Sequence, residues 1–246
     1  MSQEQETVVY VNKKGKEVKE KKADFLIQRL KMSNPSWEIN TYEIFGPMLS
    51  SYQTSDETGT IKNGRFATYQ NGDIDTSGFF MNNLRDSVWY IYAHTGMHRL
   101  LKRIRYKNGE LISEKDSASI NREEKLRIDS IKLAHGSDKD SIIKVEIESS
   151  FKGGDKAWQQ FLGKNLQYPD RAINNAVQGV VIVLFVVNKD GQVEDARINR
   201  SVEYSLDRES LRIIRMANEW MPAMQNGRKV KSYKKQPLQF KLQFQK

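Results

Sequence analysis

The chain has no cysteine, only five prolines and three histidines among 246 residues, and no run of about 18 apolar residues long enough to cross a bilayer as a helix. Without cysteine there is no disulfide framework and no thiolate nucleophile, and the redox compartment stays undiagnosed between cytoplasm and periplasm. The sequence also holds no G-x-S-x-G elbow, no phosphate-binding loop and no metal-spaced cluster. His94 and His98 stand four apart, but Gly96 lies between them at a turn and "HTGMH" lacks the metalloprotease glutamate and a third ligand. The reading is therefore of a non-enzyme with no cofactor and no metal. The pairs Glu123-Glu124 and Asp138-Asp140 fall in polar sequence and are expected to be solvated.

What is present is aromatic and charged. Four Trp, ten Tyr and ten Phe are too many for a disordered tail, so a folded protein is expected despite a mean hydropathy of -0.70. The net charge of +9 admits an anionic partner, yet the mixed signs suit a solvated surface, and no arginine-rich tract or aromatic RNA-binding pattern favours nucleic acid. The start, "MSQEQETVVYVNKKG", enters a strand-like pattern almost at once, as a mature exported chain would once its signal is replaced by an initiator Met.

In the first half, units of an aromatic followed by glycine recur: "YVNKKG" from Tyr10, "YEIFG" from Tyr42, "YQNG" from Tyr69, "YAHTG" from Tyr92 and "YKNG" from Tyr106. Alternating stretches such as "GRFATY" and "SVWYIY" lie between them, which predicts a meander of hairpins whose neighbours bury one another's aromatics. Trp89 and Tyr90 are expected in that core rather than as a stacking platform. Over residues 40 to 112 the arrangement resembles MORN-like repeats, which implies an interaction or spacer module.

From Ser113 to Ser141 the composition turns charged and poor in aromatics. Asn121 with Glu124 predicts a helix start and His135-Gly136 its stop, giving three to four turns with Leu126, Ile131 and Ala134 as a thin apolar stripe. The expected organisation is a hairpin-repeat domain over 1–115, a helical connector over 116–140 and a second domain over 141–246.

The second half changes period. Asp155 is expected to cap a helix carrying Trp158, Phe161, Leu162 and Leu166, ended by Tyr168-Pro169. "GVVIVLFVV" reads as a central strand apolar on both faces, "NKDG" as a hairpin turn and "QVEDARINRS" as its half-exposed partner. A helix capped by Ser205 follows, burying Leu206, Leu211, Ile214 and Trp220, and "MPAMQNGRKV" crosses over to a last strand, "SYKKQPLQFKLQF". The fold class is α+β: an N-terminal antiparallel hairpin-repeat sheet, a helical connector, and a C-terminal domain of two helices on a three-stranded antiparallel sheet.

With "YPDRA", "QGVVIVLFVVNKDGQVEDARINRSVEYSLDRESLRII", the later Trp and Pro, "NGRKV" and "QPLQFKL", residues 155 to 244 resemble the C-terminal domain of TonB-like energy transducers of Gram-negative envelopes. Tyr168, Pro169, Gly179, Gly191, Leu206, Trp220 and Pro222 are the framework residues of that pattern. The resemblance implies a periplasmic domain that grips an extended peptide, the TonB box of an outer-membrane receptor, by adding it to the last strand. Ser232, Tyr233, Lys234, Lys235 and Gln236 would form that edge, continued by Leu238, Gln239, Phe240, Lys241 and Leu242. Lys234, Lys235 and Lys241 read as guards against edge-to-edge aggregation, and Pro237 as a limit on register. The chain shows neither the anchor helix nor the proline-rich spacer of a transducer, so a relative without the motor link is expected. The alternative is an envelope scaffold in which this domain forms a homodimer and the repeats bind a partner.

Overall fold

The computed structural model describes residues 5–32, 35–93, 99–135 and 147–242, with backbone alone over 127–135. The chain divides into two compact units, Met1–Glu124 and Lys125–Lys246. The histidine pair at 94 and 98, the acidic pair at 138 and 140 and the helix stop at 136 lie outside the described residues, as do the side chains of residues 131 and 134.

The first unit is a nine-stranded antiparallel meander: β1 (Glu6–Val11), β2 (Phe25–Lys31), β3 (Trp37–Glu43), β4 (Met48–Thr54), β5 (Lys62–Gln70), β6 (Asp73–Met81), β7 (Leu84–Tyr92), β8 (Leu100–Lys107) and β9 (Glu110–Asp116). Each strand pairs with the next. Among the described residues, the "YEIFG", "YQNG" and "YKNG" units fall at the β3–β4, β5–β6 and β8–β9 connections. Asn71-Gly72 has φ of 52° and 84°, and Asn108-Gly109 has 51° and 86°, the paired left-handed residues that match strand twist. Asn82-Asn83 closes β6 to β7 the same way, at 48° and 66°, without a glycine to announce it.

Trp89 is the centre of this unit. Its ring contacts Phe66, Phe80 and Tyr106 at centroid distances of 5.5, 5.1 and 6.2 Å, and its indole N–H is shared between the carbonyls of Phe79 and Asp86 at 3.1 Å. Across the strand pair lies Gly78, where a Cβ would come within 2.2 Å of the indole. Trp89 is thus buried core, as expected, and Arg85 covers its outer face with the guanidinium 4.6 Å from the ring.

The helix of the connector starts earlier and runs longer than the Asn121 start and three to four turns expected. Ser113 to Asp116 belong to β9, and the helix α1 (Ser117–His135) is 19 residues long. Asp116 Oδ1 accepts the Ser119 N–H at 2.8 Å, so the orphan donors of the first turn are met at the strand's end rather than at Asn121. Leu126 is exposed.

The second unit runs β10 (Ser150–Phe151), α2 (Gly154–Asn165), α3 (Asp170–Asn174), β11 (Gly179–Val187), β12 (Val193–Arg200), α4 (Tyr204–Met216), β13 (Trp220–Met221), β14 (Ala223–Gln225), β15 (Arg228–Val230) and β16 (Ser232–Phe240). β11 pairs antiparallel with β12 on one side and β16 on the other. It is therefore the buried middle strand its composition predicts, with Val181, Val183, Phe185 and Val187 all fully buried and α4 packed on the sheet.

Local details correct the expected caps. Gly153, left-handed at φ 85°, precedes α2, and Asp155 sits inside the first turn with no capping bond. The helix stops at Asn165, so Leu166 lies in extended backbone, and Pro169 starts the short α3. For α4 the cap is Glu203, not Ser205: its carboxylate accepts from the Ser205 N–H at 2.7 Å. Trp220 has left the helix and lies in β13, and Ile213 is buried where Leu211 is only half-buried.

Candidate functional site

β16 ends its ladder, and its outer side has no strand partner among the described residues. Successive residues of an antiparallel strand turn their N–H and C=O groups to opposite sides. Pro237, opposite Ile182, has no N–H to give β11, and its carbonyl accepts instead from Gln236 Nε2 at 3.3 Å on the exposed side. A proline in a ladder belongs where its nitrogen faces away from the partner strand. The same alternation turns the backbone groups of Tyr233, Lys235 and Gln239 to the free edge. This edge offers donors at 233, 235 and 239, a gap at 237, and acceptors throughout.

The side chains alternate in step. Tyr233 is 70% exposed, and Lys235, Pro237 and Gln239 are exposed too. Leu238 is fully buried, Phe240 nearly so, and the backbone groups of Ser232, Lys234, Gln236, Leu238 and Phe240 face β11. Lys241 and Leu242 lie past the strand's end, with Lys241 exposed.

Lys234 is not a free guard on the edge. Its Nζ donates to the Ser149 carbonyl at 2.9 Å and lies 5.5 Å from the Trp220 ring centre. Trp220 in turn belongs to a cluster with Phe151, Trp158 and Phe185 at 5.5, 5.5 and 5.0 Å, closed by Phe161 against Phe151 and Trp158. Phe151 enters this cluster from β10, which pairs with β13, so the residues leading into the domain are clasped by the same rings that support β16. The sequence signal for this role was "SF" before a Gly-Gly pair, too short for any periodicity to register.

The framework residues fall into two groups. Tyr168 stacks edge-on against Phe240 at 5.6 Å and its hydroxyl donates to the Val177 carbonyl at 2.7 Å, tying the segment before Pro169 to the end of β16. At the other end Gly191, Trp220 and Pro222 meet: a Cβ on Gly191 would lie 2.1 Å from the Trp220 carbonyl oxygen and 4.0 Å from Pro222 Cδ. Gly179 opens β11, where a Cβ would come to 3.0 Å from both Val202 methyls, and Leu206 is fully buried on α4.

Behind the sheet a buried polar network fixes the start of α4. Glu203 accepts from Arg171 Nε at 2.6 Å and from the Ser205 N–H and hydroxyl at 2.7 and 2.5 Å. Asp207 accepts from the Ser201 hydroxyl at 2.5 Å and the Val202 N–H at 3.1 Å. Burial pushes the Asp207 carboxyl up to about 8, against the opposing pull of those two bonds. Within the network Glu203 and Asp207 are buried, and Arg171 is half-buried.

Residues 164–242 match the family described as the Gram-negative bacterial TonB protein C-terminal, so the resemblance read from "YPDRA" through "QPLQFKL" holds over most of its expected span. No curated protein matches the chain. Among solved structures, the C-terminal domain of Helicobacter pylori TonB in solution is similar at 24% identity, with 37% of this chain and 95% of that one covered and a TM-score of 0.31. A longer form of the same domain gives 24% identity over 35% and 78%, with a TM-score of 0.29.

Proposed function

We propose that this chain is a cell-envelope protein whose C-terminal domain captures an extended peptide by strand addition on β16. The observation that carries the reading is the open edge of β16, set within a segment that matches the C-terminal domain of TonB. An extended peptide supplies the main-chain partners that Tyr233, Lys235 and Gln239 lack, and the exposed side chains beside them add selectivity. By the family resemblance the peptide is the TonB box of an outer-membrane receptor and the compartment is the periplasm. The hairpin-repeat unit serves as spacer or second docking surface, and the reading requires no catalytic step.

The test is a titration of the full chain with TonB-box peptides, following backbone amide shifts. Expected shifts concentrate in Ser232–Phe240. Replacing Gln239 by Pro removes one outward donor while leaving the ladder to β11 intact, and should weaken binding by about 1 kcal/mol or more with little change in melting temperature. Undiminished binding by Gln239→Pro and Lys235→Pro would mean the peptide is held elsewhere. Concentration-dependent dimers that peptide does not dissolve would favour the scaffold reading.

A further inference from the structure

The positive charge of the chain is concentrated at one end. Residues 221–246 hold seven lysines and arginines and no aspartate or glutamate, against a net charge of +9 for the whole chain. Lys234 is committed to Ser149 and Trp220, and Lys231 Nζ pairs with Glu194 at 2.8 Å. Arg228 and Lys229 on β15, Lys235 on β16 and Lys241 just past it are exposed, and they make no ion pair among the described residues.

We infer that the segment β16 receives is an acidic peptide, with carboxylates placed to meet Lys235 and Lys241 while its main chain pairs with the edge. The inference rests on the strand-addition reading and adds the chemistry of the partner. Lys235 stands on β16 and Lys241 follows directly after its end, both exposed, with the neutral Pro237 and Gln239 exposed between them. A ladder of unpaired N–H and C=O groups beside those cations suits a strand carrying negative charge; a lipid surface leaves the ladder unused. Exposed edge lysines repel a second basic strand, so the same charges that admit an acidic peptide reject a second copy of this edge. Attraction toward one partner and repulsion of the commonest wrong one together make the selectivity.

The test uses the full chain and three end-capped peptides that share a core of alternating valine and threonine, flanked at both ends by glutamate, glutamine or lysine. The glutamate peptide should bind about fivefold more tightly than the glutamine peptide at low salt, as exposed pairs of modest strength give. The lysine peptide should bind weakest, and the spread should collapse in about 0.5 M salt. The double variant Lys235→Glu with Lys241→Glu, both exposed and remote from the core, should reverse the order. Equal affinity for the glutamate and glutamine peptides, with amide shifts still on β16, overturns the charge inference and leaves strand addition standing. Binding to phosphatidylglycerol vesicles with no response to any peptide overturns both and assigns the basic surface to a membrane.

Discussion

Gly191 shows how one residue serves two demands. Its φ of 81° lies in the left-handed region, and its Cα faces the Trp220 carbonyl so closely that a Cβ would sit 2.1 Å from the oxygen. The backbone atom cannot swing aside as a flexible side chain would, so Gly191→Ala should destabilise the second unit by about 2–4 kcal/mol, read from urea unfolding. Asp207 makes a pH prediction. Its carboxyl is raised to about 8 in the fold from an ordinary value of 3.8, so the folded state holds this proton more tightly than the unfolded chain does. The associated stability is fully present below the ordinary value and is lost as pH rises through about 8. Asp207→Asn keeps an acceptor for the Val202 N–H and turns an amide N–H toward the Ser201 hydroxyl, which then accepts where it had donated. Its melting temperature should therefore stay flat across that window where the parent's falls; a parallel fall in both would refute the assignment.

At the scale of elements, α4 depends on Glu203. The "NRSVEYSLDRES" stretch offers Ser205 as the conventional cap, but Glu203 takes that place because its buried carboxylate reaches the Ser205 N–H and hydroxyl and the half-buried Arg171 together. Glu203→Ala takes the capping acceptor from the helix start and breaks the ion pair to Arg171, and a loss of about 1–3 kcal/mol is expected. Glu203→Gln, which keeps the cap but not the charge, should fall between. The β10 clasp is the opposite case: two residues held by one ring. Phe151→Ala removes the aromatic that seats β10 against β13, and amide exchange at Ser150 and Phe151 should accelerate while β11 stays protected. Equal acceleration in β11 would show instead that the ring cluster supports the whole sheet.

On the scale of the molecule, order along the chain separates the two units. In the first, every strand pairs with its neighbour in sequence, so a hairpin signal such as "YQNG" or "YKNG" already names the partners. In the second, β11 pairs with a strand that begins 45 residues after its own end, from Val187 to Ser232. Removing residues 232–246 should leave β11, nine residues without a charge, as an open apolar edge. Sedimentation of the shortened chain should then show association that the full chain lacks.

The sequence by itself determined the hairpin meander, the central place of "GVVIVLFVV", the α+β order of the second half and its likeness to the TonB C-terminal domain, because period, turn chemistry and composition are local properties. Only the tertiary structure decided which caps are used, that Lys234 turns inward onto Trp220, that Phe151 joins the aromatic cluster, and that Tyr233, Lys235 and Gln239 rather than Leu238 and Phe240 carry the outward backbone of the edge. Each of these depends on what a residue meets across space. A side chain's neighbours along the chain set its range of conformations, and its distant neighbours select one.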